Sequence, residues 1–361
     1  MINLITYFYP TLIYGGLLNM LEQIFFGTYT RKASQGIYQA ILDTSQGQCS
    51  EPKLLTKIAN PTYLQLSAEQ QLFSVAQQAD QGGIVQFSLQ APSIPLIAKN
   101  LAFGAPPCYI GLDQQRQLVF TANYHTATVK VFRASANEPL KLLTKKKFSG
   151  HGPRPEQEAA HIHYADLTPD QRLAVCDLGA DRVYTYSVTT DGQLTNEQSL
   201  QLPAGFGPRH LVFHPTAQIA FLVGELSSQI AVLKYDPATG SFQLLQQLAT
   251  IPNDWQQHNG AAAIKISPDG QFVYVSNRGH NSLAVFAWKN KQLELQQLIS
   301  TEGNFPRDFE IDPTGQYLLA ANQNSNNATL FERSALNGKL ICRQKDLPLP
   351  EGVCVKFATQ N

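Results

Sequence analysis

A phrase of about fifteen residues recurs six times along this chain, and it leaves few folds open. Its clearest copy opens the stretch from Gly207 to Tyr235, GPRHLVFHPTAQIAFLVGELSSQIAVLKY, which reads as three short apolar runs separated by two turns. Each run has the length of a short strand, and Gly, Pro, Asn, Asp and Ser clusters punctuate strand-rich sequence in this way. Aligned on the turn before the second run, the copies begin at Tyr63, Tyr109, Tyr164, His210, Ala263 and Asp308, at spacings of 45 to 55 residues. After each comes a third run such as LAVFAW or TVKVFRA, then a polar gap and a fourth short run. Four strands per unit at this period is the arithmetic of a β-propeller blade. No pattern of helical period competes with it.

The two ends of the chain complete the count. GVCVKF, from Gly352, resembles the first strand of a unit with no second strand after it. From Gln23, the runs IFFGTY, GIYQAIL and KLLTKI supply strands two to four with no first. Joined, they make one blade from both ends, which closes the ring and removes its exposed sheet edges. The reading is therefore all-β: a seven-bladed propeller with four antiparallel strands per blade, forming a single domain over residues 20–361. Met1 to Asn19 is apolar but has no Lys or Arg, and Pro10, Gly15 and Gly16 interrupt it. A secretory signal wants a basic start and a spanning helix about 20 unbroken apolar residues. We read this stretch as an upstream extension with the native start at Met20; a weak N-terminal anchor is the minority reading.

Charge is sparse and balanced, with 27 basic and 27 acidic residues. That argues against a general nucleic-acid or anionic-membrane partner, which would need a basic surface field. The five cysteines, Cys49, Cys108, Cys176, Cys342 and Cys354, form no CxxC pair and no zinc spacing. Scattered thiols of this kind fit a reducing cytoplasm.

Repeats separate framework from function, because positions that vary chemically at channel-facing places are free to build a site. Just before the first strand's aligned residue stand Thr62, Cys108, His163, Arg209, Ala262 and Arg307. Just after the second strand stand Gln78, Tyr124, Gly179, Glu225, Arg278 and Gln323. First and second strands are antiparallel neighbours, so both sets ring one mouth of the channel. That mouth collects His163, Arg209, Glu225, Arg278 and Arg307, a concentration that stands out in a chain only 15% charged. Any one arginine alone would be read as a surface residue or a blade-to-blade ion pair. Three at equivalent ring positions point to an anion-binding funnel, since the planar guanidinium grips phosphate or carboxylate bidentately. His161 and His163 lie two apart and share a strand face, which offers a general base. A metal held by this pair with Glu225 ranks lower, because three neighbouring arginines would repel a cation. The insertion GHGPRPEQEAA, from Gly150 to Ala160, is read as a cover for the funnel or simply as a long connection between blades. There is no nucleophile elbow, Walker loop or dinucleotide fingerprint, and no WD40 signature.

Several motifs together resemble the seven-bladed lactonase propellers, a family that includes propeller-type 6-phosphogluconolactonases and fungal carboxymuconate cyclases. They are GTYT at Gly27, GPRHLVFHP at Gly207, GELSS at Gly224, SNRGHNSLAVF at Ser276 and NFPRDFEIDPTGQYLLAANQNSNN at Asn304. The resemblance runs from about Met20 to the end of the chain. It implies a site of a histidine, an arginine, a glutamate and a second arginine, which map onto His161, Arg209, Glu225 and Arg278. His163, Arg307, His210, Asn277 and Gln323 are then the expected substrate-binding neighbours. The chain departs from the family at Ala263, where an acidic residue is frequent, and at AHIH, which stands for a PHPH-like stretch.

The activity expected from this is hydrolysis of 6-phospho-D-glucono-1,5-lactone to 6-phosphogluconate, a step of the pentose phosphate pathway. Arginines would hold the phosphate and polarise the carbonyl, and His161 or Glu225 would activate water. His161 is favoured, since the reference value for histidine lies nearer neutrality than the ~4.3 of glutamate. No metal or organic cofactor is needed for that chemistry. The alternatives are a carboxymuconate-type cyclase, a lactonase for another sugar-acid lactone, and a non-catalytic binding scaffold.

Overall fold

The apolar second and third runs of each repeat become the buried middle of a sheet. In the computed structural model, which describes residues 21–91, 93–135 and 138–358, strands Leu118–Asn123, Leu173–Asp177, Phe272–Arg278 and Tyr317–Asn322 are buried at every position. A strand covered on both faces reads as a near-continuous apolar run, which is why these strands do not alternate until their polar ends at the channel mouth. Outer strands such as Lys141–Lys147 and Leu194–Gln201 are largely exposed and correspondingly polar. One turn of 3-10 helix, Pro155–Gln157, is the only helical element among the described residues.

The strands form seven antiparallel sheets, six of them four-stranded and built from consecutive strands. The seventh joins the chain ends: Gly352–Phe357 pairs with Leu21–Thr28, which pairs in turn with Gly36–Asp43. Its outer position is filled by two short strands, Gln48–Cys49 and Lys53–Lys57, both on Gly36–Asp43. Pro52 stands between them, and its missing N–H breaks the ladder there. The innermost strands touch one another in sequence around the ring, and Gly352–Phe357 contacts Leu64–Leu66 to close it. The seven-bladed propeller expected from the repeats is the fold observed. Residues 1–19, read as an upstream extension, lie outside the described residues.

Packing between blades is aromatic and aliphatic. Phe221, Phe286, Phe309, Phe331 and Tyr274 are fully buried, and each such side chain contributes about 1.5–3 kcal/mol relative to exposure. At the channel the blades come close enough to exclude side chains. A Cβ on Gly111 would stand 2.3 Å from the carbonyl oxygen of Ala165 in the next blade, so the inner strand needs glycine there.

Candidate active site

Five of the inner strands carry a register break at the mouth of the channel, the one in Gly352–Phe357 falling at Val353. The ladder passes from Ile162 opposite Asp177 to Tyr164 opposite Cys176, leaving His163 unpaired. It likewise passes over Arg209 between Pro208 and His210, and over Arg307 between Pro306 and Asp308. In the strand Gly260–Ile266 the break falls between Ala261 and Ile264. A bulged residue leaves the alternation of the strand and can be re-aimed. Three of the ring positions marked out by the repeats, His163, Arg209 and Arg307, are such bulges, and they stand at a cavity of about 470 Å³. His163, Glu225, Arg278 and Arg307 line it, together with Tyr29, Arg31, Cys108 and Tyr124.

Glu225 is the electrostatic centre. Arg209 Nε lies 2.8 Å from one of its carboxylate oxygens and Arg278 Nη2 lies 2.9 Å from the other. Burial raises the Glu225 carboxyl, but Arg278 and Arg209 outweigh it and bring it down to about 2. Both arginines are themselves buried, at 3% and 6% exposure. Burial and then Arg278 lower Arg209 to about 9, so it remains a cation at neutral pH. Backbone carbonyls complete the pair: Ala262 accepts from Arg209 Nη1 at 2.6 Å and Gly260 from Arg278 Nε at 3.1 Å. Arg307 is half-buried, and no ion pair engages it or Arg31 among the described residues.

The two histidines have different surroundings. His163 lines the cavity; burial, then Arg209, hold it well below the usual histidine range, so its ring is neutral. Its Nδ1 has no hydrogen-bond partner. His161 lies beside the cavity, stacked on Tyr124 with ring centroids 4.1 Å apart and planes at 8°. Its Nδ1 is 3.0 Å from the Tyr124 carbonyl and its Nε2 is 3.2 Å from a Glu158 oxygen. Burial raises Tyr124 to about 12 and Cys108 to about 11, so the cavity holds a protonated phenol and a thiol with no thiolate nucleophile. His210 belongs to the next layer along the inner strands, where its ring meets Tyr63, Tyr109, Tyr164 and His163 at centroid distances of 5.0–6.2 Å.

Asn277 and Gln323 are not brought to the cavity. Asn277 is fully buried, and its amide joins the Thr250 hydroxyl at 2.7 Å and the Thr250 carbonyl at 2.9 Å. Its polar side chain ties the end of the second strand to the chain that enters the same blade from the preceding one. Gln323 reaches its neighbour Asn324 at 3.2 Å. The Gly150–Ala160 insertion does not line the cavity either. Its Arg154 and Glu156 wall a second hollow of about 650 Å³ with Trp255 and Phe305, and that hollow shares Glu225 and Arg278 with the first. Among the described residues no group of three His, Cys, Asp or Glu side chains could hold a metal ion, and both Glu225 oxygens are already engaged by arginine.

Among the cavity residues not singled out from the sequence are Tyr29, Arg31 and Tyr124. Tyr124 was visible as a ring position but carries no formal charge. Tyr29 follows Thr28 as Glu225 follows Gly224, so it is the seventh member of the second-strand set. That equivalence is hidden because its blade is divided between the chain ends.

Comparison with known proteins fits this architecture. A family described as "Lactonase, 7-bladed beta-propeller" matches residues 23–357. A 6-phosphogluconolactonase of Bacillus subtilis is 40% identical over 341 residues, covering 92% of this chain and 97% of that one. A solved protein from Lactobacillus plantarum superposes with a TM-score of 0.92 at 54% identity, over 94% of this chain and all of that one. The periplasmic gluconolactonase of Pseudomonas aeruginosa superposes with a TM-score of 0.88 at 28% identity, over 94% of this chain and 99% of that one.

Proposed function

Because the chain belongs to the seven-bladed β-propeller lactonase family, we propose that it hydrolyses 6-phospho-D-glucono-1,5-lactone to 6-phosphogluconate, as a cytoplasmic enzyme of sugar-phosphate metabolism. The observation that carries this reading is the cavity itself: a neutral histidine and a doubly paired carboxylate beside guanidiniums that lack an anion. The Bacillus relative named for this activity supports the choice of substrate. Five cysteines, none in a disulfide, support a reducing compartment.

In this reading water adds to the lactone carbonyl carbon as His163 takes its proton. Arg278 faces the charge that develops on the carbonyl oxygen, where a fixed cation stabilises the tetrahedral intermediate most. The intermediate collapses with cleavage of the bond between the carbonyl carbon and the ring oxygen. The ring oxygen leaves as a hydroxyl, reprotonated by His163, and the acid product then loses its proton to solvent. Glu225, held near 2, is a weak base; it serves by fixing Arg209 and Arg278. His163 is a better base with substrate bound, because an anion at the arginines offsets the charge that depresses it. The sequence favours His161 of the pair as base; this reading assigns the role to His163, which lines the cavity, while His161 is stacked on Tyr124.

The test is turnover of freshly prepared 6-phosphogluconolactone, coupled to the next dehydrogenase, with spontaneous hydrolysis subtracted. Wild type should exceed background by orders of magnitude, and a folded Arg278→Ala variant should lose about 10²–10³-fold in kcat. Absence of turnover above background would retire this substrate. The periplasmic neighbour favours a second reading, an unphosphorylated gluconolactone as preferred substrate; a higher kcat/KM on that lactone would select it.

A further inference from the structure

The seam where the two chain ends meet presents a rigid loop to the cavity, and lactone opening alone makes no use of it. The loop follows strand Leu21–Thr28 and carries Tyr29 and Arg31 into the cavity beside Arg307. The Arg31 guanidinium lies 3.9 Å from the Tyr29 ring centroid, and that of Arg307 lies 5.7 Å from the same centroid. Neither has an ion-pair partner among the described residues, whereas Arg209 and Arg278 are both committed to Glu225.

The loop is fixed from three sides. Glu351, itself buried, accepts the backbone N–H groups of Arg31, Lys32, Ala33 and Ser34 on its carboxylate at 2.9–3.2 Å. Its carbonyl accepts the Tyr29 N–H at 3.0 Å. Asn60 Oδ1 accepts the Thr30 N–H at 3.1 Å, and the Thr28 and Ser34 hydroxyls bond at 2.6 Å. Successive N–H groups curled around an anion form a nest. Here the anion belongs to the protein, so the nest is filled and its effect is to hold the loop.

Three guanidiniums, of Arg31, Arg278 and Arg307, thus line the cavity with one carboxylate, which Arg209 also pairs, and with the His163 ring. Like charges held together in this way are unfavourable until an anion completes the arrangement, and paired arginines suit the oxygens of a phosphate monoester. We propose that Arg31 and Arg307, spaced by Tyr29, are the subsite for the phosphate of a phosphorylated sugar lactone, with Glu351 as the residue that positions Arg31. This rests on the hydrolase reading for the identity of the rest of the substrate. Preorganisation by Glu351 removes the ordering cost that a mobile arginine would add to binding.

The experiment compares 6-phosphogluconolactone with glucono-1,5-lactone on wild type, Arg31→Gln and Glu351→Gln. Arg31→Gln should lower the ratio of kcat/KM for the phosphorylated over the unphosphorylated lactone by about 10- to 100-fold, the worth of a charge-assisted contact. Glu351→Gln should raise KM for the phosphorylated lactone with little change in kcat, the pattern of lost binding and not of lost chemistry. Equal losses on both lactones, or none, would overturn the assignment. Should wild type open neither lactone, the hydrolase reading fails, and calorimetry with 6-phosphogluconate against gluconate decides the subsite. A phosphate preference lost in Arg31→Gln sustains it; no preference ends it.

Discussion

Replacing Glu225 by Gln should destabilise the protein by about 3 kcal/mol, and the size follows from what the carboxylate holds. Arg209 and Arg278 reach its two oxygens at 2.8 and 2.9 Å. Charge centres roughly 4 Å apart attract by about 4 kcal/mol each at an effective dielectric constant near 20. Mutual repulsion of the arginines and the desolvation of all three groups take back most of that sum. Removing the carboxylate recovers none of the arginines' burial cost, and breaking a buried pair in this way costs about 3–5 kcal/mol. The lower end applies, since the Glu225 side chain is 21% exposed. Proton linkage gives an independent figure. The folded carboxyl is held at about 2, below its ordinary 4.5, a difference worth about 3 kcal/mol. Because the folded value is the lower one, this stability is complete above the ordinary value. It is lost as pH falls from about 4.5 through about 2. Thermal melts of wild type and Glu225→Gln at pH 7, 5 and 3 measure both effects. The variant should melt about 4 °C lower at pH 7, and the gap should narrow on acidification. A pH-independent gap, or a variant within about 1 °C of wild type, would refute the reasoning.

Other outcomes follow from the same geometry. Binding of 6-phosphogluconate should raise the His163 value towards the ordinary histidine range, because it offsets the arginines that help depress it; a histidine ring resonance that titrates unchanged with ligand would contradict this. Truncation before Gly352 removes the inner strand of the shared blade and opens the ring, so the product should fail to elute as a folded monomer or to show a cooperative melt. Phe221→Ala, at a fully buried side chain whose ring meets Trp288 edge-on at 5.2 Å, should cost about 3–5 kcal/mol in denaturant unfolding.

The fold was legible because a propeller writes its architecture in repeats. Alternating strand and turn at a 45–55 residue period fixed the blade, and the incomplete units at both ends fixed the closure. The ring of site residues was legible for a related reason: equivalent positions in each copy occupy equivalent places around the axis. What stayed hidden had physical causes. His161 and His163 share a strand face by spacing, but the break in pairing at His163 sends the two rings to different places, and no spacing rule announces a bulge. Asn277 sits in a recognisable motif, yet its side chain is consumed by the backbone at Thr250. Tyr29 and Arg31 were overlooked because their blade has its first strand more than three hundred residues away from its second.

The same break in pairing explains why charge can collect at this mouth without disturbing the sheets. A residue in the middle of a second strand is covered on both faces, so a charged side chain there would meet apolar neighbours and lose solvation without compensation. A bulged residue gives up its place in the ladder and faces the channel, where a carboxylate, a carbonyl or water can meet its charge. His163, Arg209 and Arg307 stand at such places, and in the blade made from both ends the equivalent bulged residue is Val353, passed over as pairing moves from Gly27–Cys354 to Thr28–Gly352. The chemistry of the cavity can therefore change blade by blade while the strands that hold the ring remain as they are. That separation makes the loop at residues 29–35 a place where substrate preference can be set independently of the Arg209–Glu225–Arg278 core.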